Sequence, residues 1–173
     1  MIRKDYFMRM IQEMVTMVRV GLRLPDKDKG SWLDDLEKAI GDAVKIDHNL
    51  LFSLDPESTV TMLDIGEVDK DLGLYVVHAI ILEATMLEAE GQMAKADLRR
   101  RQARAIAEYV GCSMPASDAT TESLSQFFMD DPELHVGKDA SGGAAGDAEE
   151  SRLASGLVLN GSLTQDEMDR FKF

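Results

Sequence analysis

The stretch LGLYVVHAIILEATMLEAE, residues 72–90, decides the fold class. Its first half, Leu74 to Leu82, is rich in Val and Ile and would by itself pass for a buried strand. Apolar residues nevertheless continue through Ala84, Leu87 and Ala89 with no breaker before Gly91, and nineteen residues exceed an ordinary strand. The stretch therefore predicts a long apolar helix. Forward of it, Met93 to Val110 predicts a returning helix, closed by Gly111 at a C-cap position. Behind it, Asp55 and Pro56 stand where an N-cap and a first helical residue belong, and Gly66 where a short helix would end.

Further back, Ser31 and Asp34 resemble a capping box, and Trp32, Leu33, Leu36, Ile40, Ala43 and Val44 then repeat on one helical face up to about Ile46. Leu50, Leu51 and Phe52 fall in a linker. From Arg3 to Leu24 the polar residues Asp5, Arg9, Gln12, Glu13, Thr16, Arg19 and Arg23 recur every three or four positions and leave a broad apolar arc. Pro25 ends that helix. The expected fold is all-α: two helical hairpins bridged by a short helix. The first helix, at about 22 residues, reaches roughly 33 Å against roughly 24 Å for the second. One end of its arc outruns the hairpin partner, so a homo-oligomer through this helix is expected.

Beyond Gly111 the composition shifts to Ser, Asp, Gly and Ala, with Ser141 to Gly146 as the clearest linker. Residues 112–173 carry 12 acids against 4 bases, residues 1–111 carry 20 against 15, so the acidity concentrates in the tail. The expected organisation is a helical domain over 1–111 and an acidic, largely flexible tail over 112–173, with short helices at 122–129 and 164–171.

Composition narrows the functional classes. At 45% hydrophobic the chain can bury a real core, and with aromatics at 6% and 11 methionines that core rests on aliphatic and Met side chains. The formal charge of −13 repels phosphate backbones and anionic lipid, so nucleic acid and membrane are disfavoured as partners. No segment holds 18 uncharged apolar residues, and Arg9, Gln12 and Glu13 interrupt what a signal peptide would need. Cys112 is the only cysteine, which fits a reducing compartment and a cytoplasmic location. His48, His78 and His135 show no ligand spacing, so no metal and no cofactor are expected.

Two helix pairs joined by Gly-containing turns invite comparison with the tetratricopeptide repeat, whose unit is about 34 residues. Over residues 77–110, Ala84 falls at the small position of the first helix, Gly91 at the turn, and Ala96 and Ala103 at the small positions of the second. Arg100 stands where an aromatic is usual, and the closing proline is missing. Over residues 1–111, three segments together resemble an uncharacterised bacterial family of small tetratricopeptide-like proteins, a domain of unknown function. They are the opening Lys4 to Ile11, the Leu51 to Glu57 junction and the Glu88-Ala89-Glu90-Gly91 turn. The resemblance implies a fold and no activity.

In such units the ligand groove is lined by the first helix of each pair, which here places His78, Ile81, Thr85 and Glu88 on the binding face. No catalytic residue is assigned. The leading expectation is a non-enzymatic module that binds an unidentified protein or peptide. One alternative is an enzyme whose site assembles from scattered acids such as Asp71, Glu83 and Glu88. Another is a nucleic-acid adaptor using Arg99, Arg100, Arg101 and Arg104. Consecutive arginines spread around a helix, so a solvated face is the simpler reading of that run. Cys112 follows a helix C-terminus, where the dipole disfavours a thiolate.

Overall fold

Short polar residues ahead of each apolar run start the helices. The Asp55 carboxylate accepts from the Ser58 amide at 3.0 Å with Pro56 at the first helical position. Asp69 accepts from the amides of Asp71 and Leu72, Asp47 from that of Leu50, and Thr120 from that of Ser123. Each side chain satisfies a donor that the first turn leaves orphaned. Gly91 and Gly111 end helices at φ of 82° and 76°, backbone values that L side chains rarely adopt.

The computed structural model describes residues 2–136, and every regular element among them is helical. The order is α1 (Ile2–Leu22), α2 (Lys29–Val44), α3 (His48–Ser53), α4 (Pro56–Ile65), α5 (Lys70–Ala89), α6 (Met93–Val110) and α7 (Thr121–Met129), with single 3-10 turns at Asp26–Asp28 and Pro132–Leu134. Two local expectations change. Leu50, Leu51 and Phe52 are helical, because Asp47 caps them. And α2 starts at Lys29, after the 3-10 turn, so Ser31 lies inside the helix rather than at its cap.

α5 is the centre of the packing and touches α1, α2, α6 and α7. It runs antiparallel to α6: Gly73 faces Val110 at one end, and Glu83 meets Arg99 nearer the other. A Cβ at Gly73 would come within 2.7 Å of Val110 Cγ1, so glycine sets how closely the two helices approach. By length and composition α5 is apolar enough to cross a membrane, although 78% of its apolar window is buried inside the protein. Glu83 interrupts that window and has its own partner, described below.

α1 packs antiparallel on α2 in the same way. Trp32 lies flat against Gly21, and its indole N–H donates to Met17 O at 3.0 Å. A Cβ built on Gly21 would sit 1.7 Å from Trp32 Cε2. Gly21→Ala is therefore expected to force the indole out and break that bond. The overpacking should lower stability by about 2 kcal/mol, even after alanine's better helix propensity. Urea unfolding followed by Trp32 fluorescence checks this; an unchanged midpoint would show that the helices separate freely.

Packing does not stop at Gly111, the boundary expected from sequence: among the described residues it continues through α7 to Val136. α7 forms where a helix over 122–129 was expected and buries Leu124 and Phe128 completely against α1 and α5. Three apolar side chains at helical spacing, Leu124, Phe127 and Phe128, offset the ordering entropy that the polar composition around them seemed to leave unmet. The expected helix at 164–171 and the linker at 141–146 lie outside the described residues. α7 also changes the reading of α1. Met10, Ile11, Met14, Val15 and Val18 are buried, and α2, α5 and α7 all pack on α1, while Val20 near its end stays exposed.

Candidate functional site

Chemistry-bearing side chains gather in three places, and the first is the interior. Arg99 is buried on α6 and reaches three elements: Nε donates to Glu83 Oε1 at 2.8 Å, Nη2 to Glu37 Oε1 at 2.6 Å, and Nη1 to Phe52 O at 3.1 Å. Its guanidinium also lies over the Phe52 ring, 4.2 Å from the centroid. One helical turn on, Gln102 Nε2 donates to Leu54 O at 2.8 Å and Leu51 O at 3.0 Å. α6 thus supplies donors to carbonyls at the end of α3, where Leu51 O also accepts from the Leu54 amide at 3.4 Å.

The two acids on Arg99 differ in their ionisation. Burial, with a hydrogen bond to Glu37 added, holds the Glu83 carboxyl well above its ordinary value. Glu37 is also raised by burial, but the hydrogen bonds from Glu83 and Arg99 and the Arg99 charge outweigh this and hold it below its ordinary value. Glu83 Oε2 is buried and has no hydrogen-bond partner of its own among the described residues. The guanidinium and the two carboxyl groups form one hydrogen-bonded cluster, with Glu83 in the core and Glu37 at its partly exposed edge. None of these acids lines the open recess below.

The second place is the α5 face expected to bind a ligand, and the structure does not bring its four residues together on one open surface. His78 is largely covered: its ring stacks on Phe127 of α7 at 3.7 Å between centroids, and its Nδ1–H donates to Leu74 O at 2.9 Å. Desolvation by that burial pushes its pKa down to about 4, helped by His135 nearby. Ile81 is buried, and Thr85 is half-buried with its hydroxyl turned back to Ile81 O. Glu88 alone of the four is exposed, and it pairs with Arg100 at 2.7 Å. His135 and Tyr75 complete an aromatic cluster around Phe127, with centroids 4.5 Å and 4.8 Å from it.

The third place is an open recess of about 920 Å³ where the N-terminal half of α1 meets the α4–α5 junction and the end of α6. Phe7, Met8, Ile11, Val68 and Val136 contribute apolar lining, and Asp64, Glu67, Asp69, Asp71, Lys4 and Tyr109 the polar part. Tyr109 Oη donates to Asp64 Oδ1 at 2.9 Å, tying α6 to α4. Sequence inspection singled out only Asp71 of these four acids. The signal was present as the run Asp64, Glu67, Asp69, Asp71 around a Gly66 helix end.

The remaining candidates separate. Asp71 lines the recess, Glu83 lies in the core and Glu88 is on the surface, so the scattered acids do not converge. The arginine run also disperses: Arg99 is internal, Arg100 pairs with Glu88, and Arg101 pairs with Asp97 at 2.9 Å. Burial raises the Cys112 thiol above its ordinary value, which keeps it protonated. Among the described residues, no three His, Cys, Asp or Glu side chains are arranged to hold a metal ion. No protein-family model, curated protein or solved structure matches the chain.

Proposed function

We propose that this chain is a non-enzymatic, tetratricopeptide-like interaction module of the cytoplasm that takes a basic, partly apolar segment of a partner protein in the acidic recess. The observation that carries the reading is the recess itself: four carboxylates against one lysine around an apolar floor, in a space large enough for several side chains. Apolar lining supplies affinity, and the carboxylates select cationic partners and speed their encounter. The antiparallel pairs α1/α2 and α5/α6 support the tetratricopeptide-like reading, as does the resemblance over residues 1–111.

An acid–base enzyme is less well supported. The carboxyl held well above its ordinary value, Glu83, is sealed in the core beside Arg99 rather than facing a cavity.

Calorimetric titration with a synthetic peptide of alternating lysine and leucine, and with its glutamate-for-lysine counterpart, tests the proposal. The basic peptide should bind, more weakly as salt rises. Reversing charge with Asp64→Lys should weaken it by about tenfold or more. Equal affinity for both peptides, or no effect of Asp64→Lys in a chain that stays folded, would reject the recess as the binding surface.

A further inference from the structure

α7 is held to the rest of the protein less completely than a core helix. Among the described residues its polar anchorage comes from Arg19, which donates to Phe128 O at 2.7 Å and to Met129 O and Asp130 O at 3.1 Å, capping the end of the helix. Beneath it Tyr75 Oη is buried and has no hydrogen-bond partner among the described residues, an unfavourable arrangement for a hydroxyl. Beside His78 a cavity of about 620 Å³ remains between α5 and the segment that includes Pro115, Thr120 and Phe127. Residues 112–120, which connect α6 to α7, contain no helix and reach up to about 30 Å when extended, with Cys112, Met114 and Ala119 resting against the core.

We propose that the seat of α7 between α1 and α5 is a helix-binding groove, with α7 as its resident, displaceable occupant. The external partner that fits it is an amphipathic helix with one aliphatic and two aromatic anchors spaced as Leu124, Phe127 and Phe128. The chemistry of the occupant is read from α7: the aliphatic residue and the second ring enter the core, the first ring stacks on His78, and the last carbonyls meet Arg19. Tethering gives α7 an effective concentration on the order of millimolar, so an external helix competes only when it binds better or when α7 is weakened. The groove is a different face from the recess, and the variants that probe it leave Asp64, Glu67, Asp69 and Asp71 untouched.

The experiment weakens the resident helix and leaves its seat intact. In the full chain, the double variant Leu124→Ala, Phe128→Ala and the milder Phe127→Ala are mixed with a fluorescein-labelled peptide of residues 119–136, and binding is read by anisotropy. The peptide should bind the variants at least about tenfold more tightly than the unaltered chain. Adding Arg19→Ala should abolish the gain. A variant that keeps its helicity and Trp32 fluorescence yet binds no better than the unaltered chain overturns the proposal. So does unfolding of both variants, since α7 would then be core rather than occupant. Concentration-dependent dimers of the unaltered chain would assign the seat to a second copy and likewise overturn it.

Discussion

Replacing Arg99 with methionine is expected to remove about 3–5 kcal/mol of stability, enough to unfold a marginal domain. The loss has two sources. Glu83 would be left in the core with no cation beside the partly exposed Glu37, and the Phe52 carbonyl would lose its donor. Methionine fills much of the volume and retains contact with Phe52, so the effect reports charge and hydrogen bonding rather than a cavity. Removing the buried acid together with its cation should cost less than removing the cation alone: with Glu83→Leu added to Arg99→Met, part of the loss should return, because the carboxyl left unpaired in the core is gone. Urea midpoints for the two single variants and the double variant decide it. A loss below about 1 kcal/mol for Arg99→Met would mean that water reaches the cluster and screens it.

Acidification should destabilise the chain through His78. Its pKa in the folded state is pushed down to about 4, below the ordinary 6.5, with desolvation as the main cause. The unfolded chain therefore binds the proton first as pH falls. The stability that the neutral, buried ring contributes is complete above about 6.5 and is lost progressively as pH drops through about 4. The depression corresponds to about 3 kcal/mol at its limit.

The surroundings leave that sign in place. The hydrogen bond to Leu74 O favours the charged ring and offsets part of the shift, while His135 opposes a second positive charge and Phe127 of α7 stacks on the ring and helps to desolvate it. Asp130 lies near His135 Nε2, at 3.5 Å, and also lines the cavity beside His78, but it does not reverse the shift. Glu83 titrates with the opposite sense: its raised pKa gives stability that falls as pH rises from the ordinary carboxyl range. The informative quantity is thus the difference between the chain and its His78→Phe variant, compared by urea unfolding at pH 7 and pH 4.5. The variant should lose distinctly less on acidification. Parallel losses in the two would place the acid sensitivity elsewhere.

Helix placement was legible because it depends on local chemistry. Asp55-Pro56, Gly66, Gly91 and Gly111 act within one turn of themselves, and α6 runs from Met93 to Val110 as their spacing requires. The site was less legible because it depends on which face of a helix turns inward. Arg99 reads as part of an exposed run until it is set in register with Ala96, Ala103 and Ile106, the buried stripe of α6. Glu83 and Glu37 likewise sit among buried neighbours, Leu82 and Ala84 on α5 and Leu36 and Ile40 on α2. Charged residues in register with an apolar stripe were the available signal for the cluster. The groove residues failed for the opposite reason. His78 and Ile81 have the spacing of a presented face, but the two phenylalanines of α7 that cover this region follow 46 and more residues later.

The position of α5 also bears on how the protein is made. A chain leaving the ribosome emits α5 before any part of α6 or α7, so for a time the most apolar helix lacks two of the elements that enclose it. Until Arg99 clears the exit tunnel, Glu83 has no cation, and the nascent segment has the length and hydropathy by which targeting machinery selects membrane anchors. Only when α6 and α7 have followed can α5 be enclosed and Glu83 meet Arg99, so the burial of the most apolar helix waits on residues translated after it.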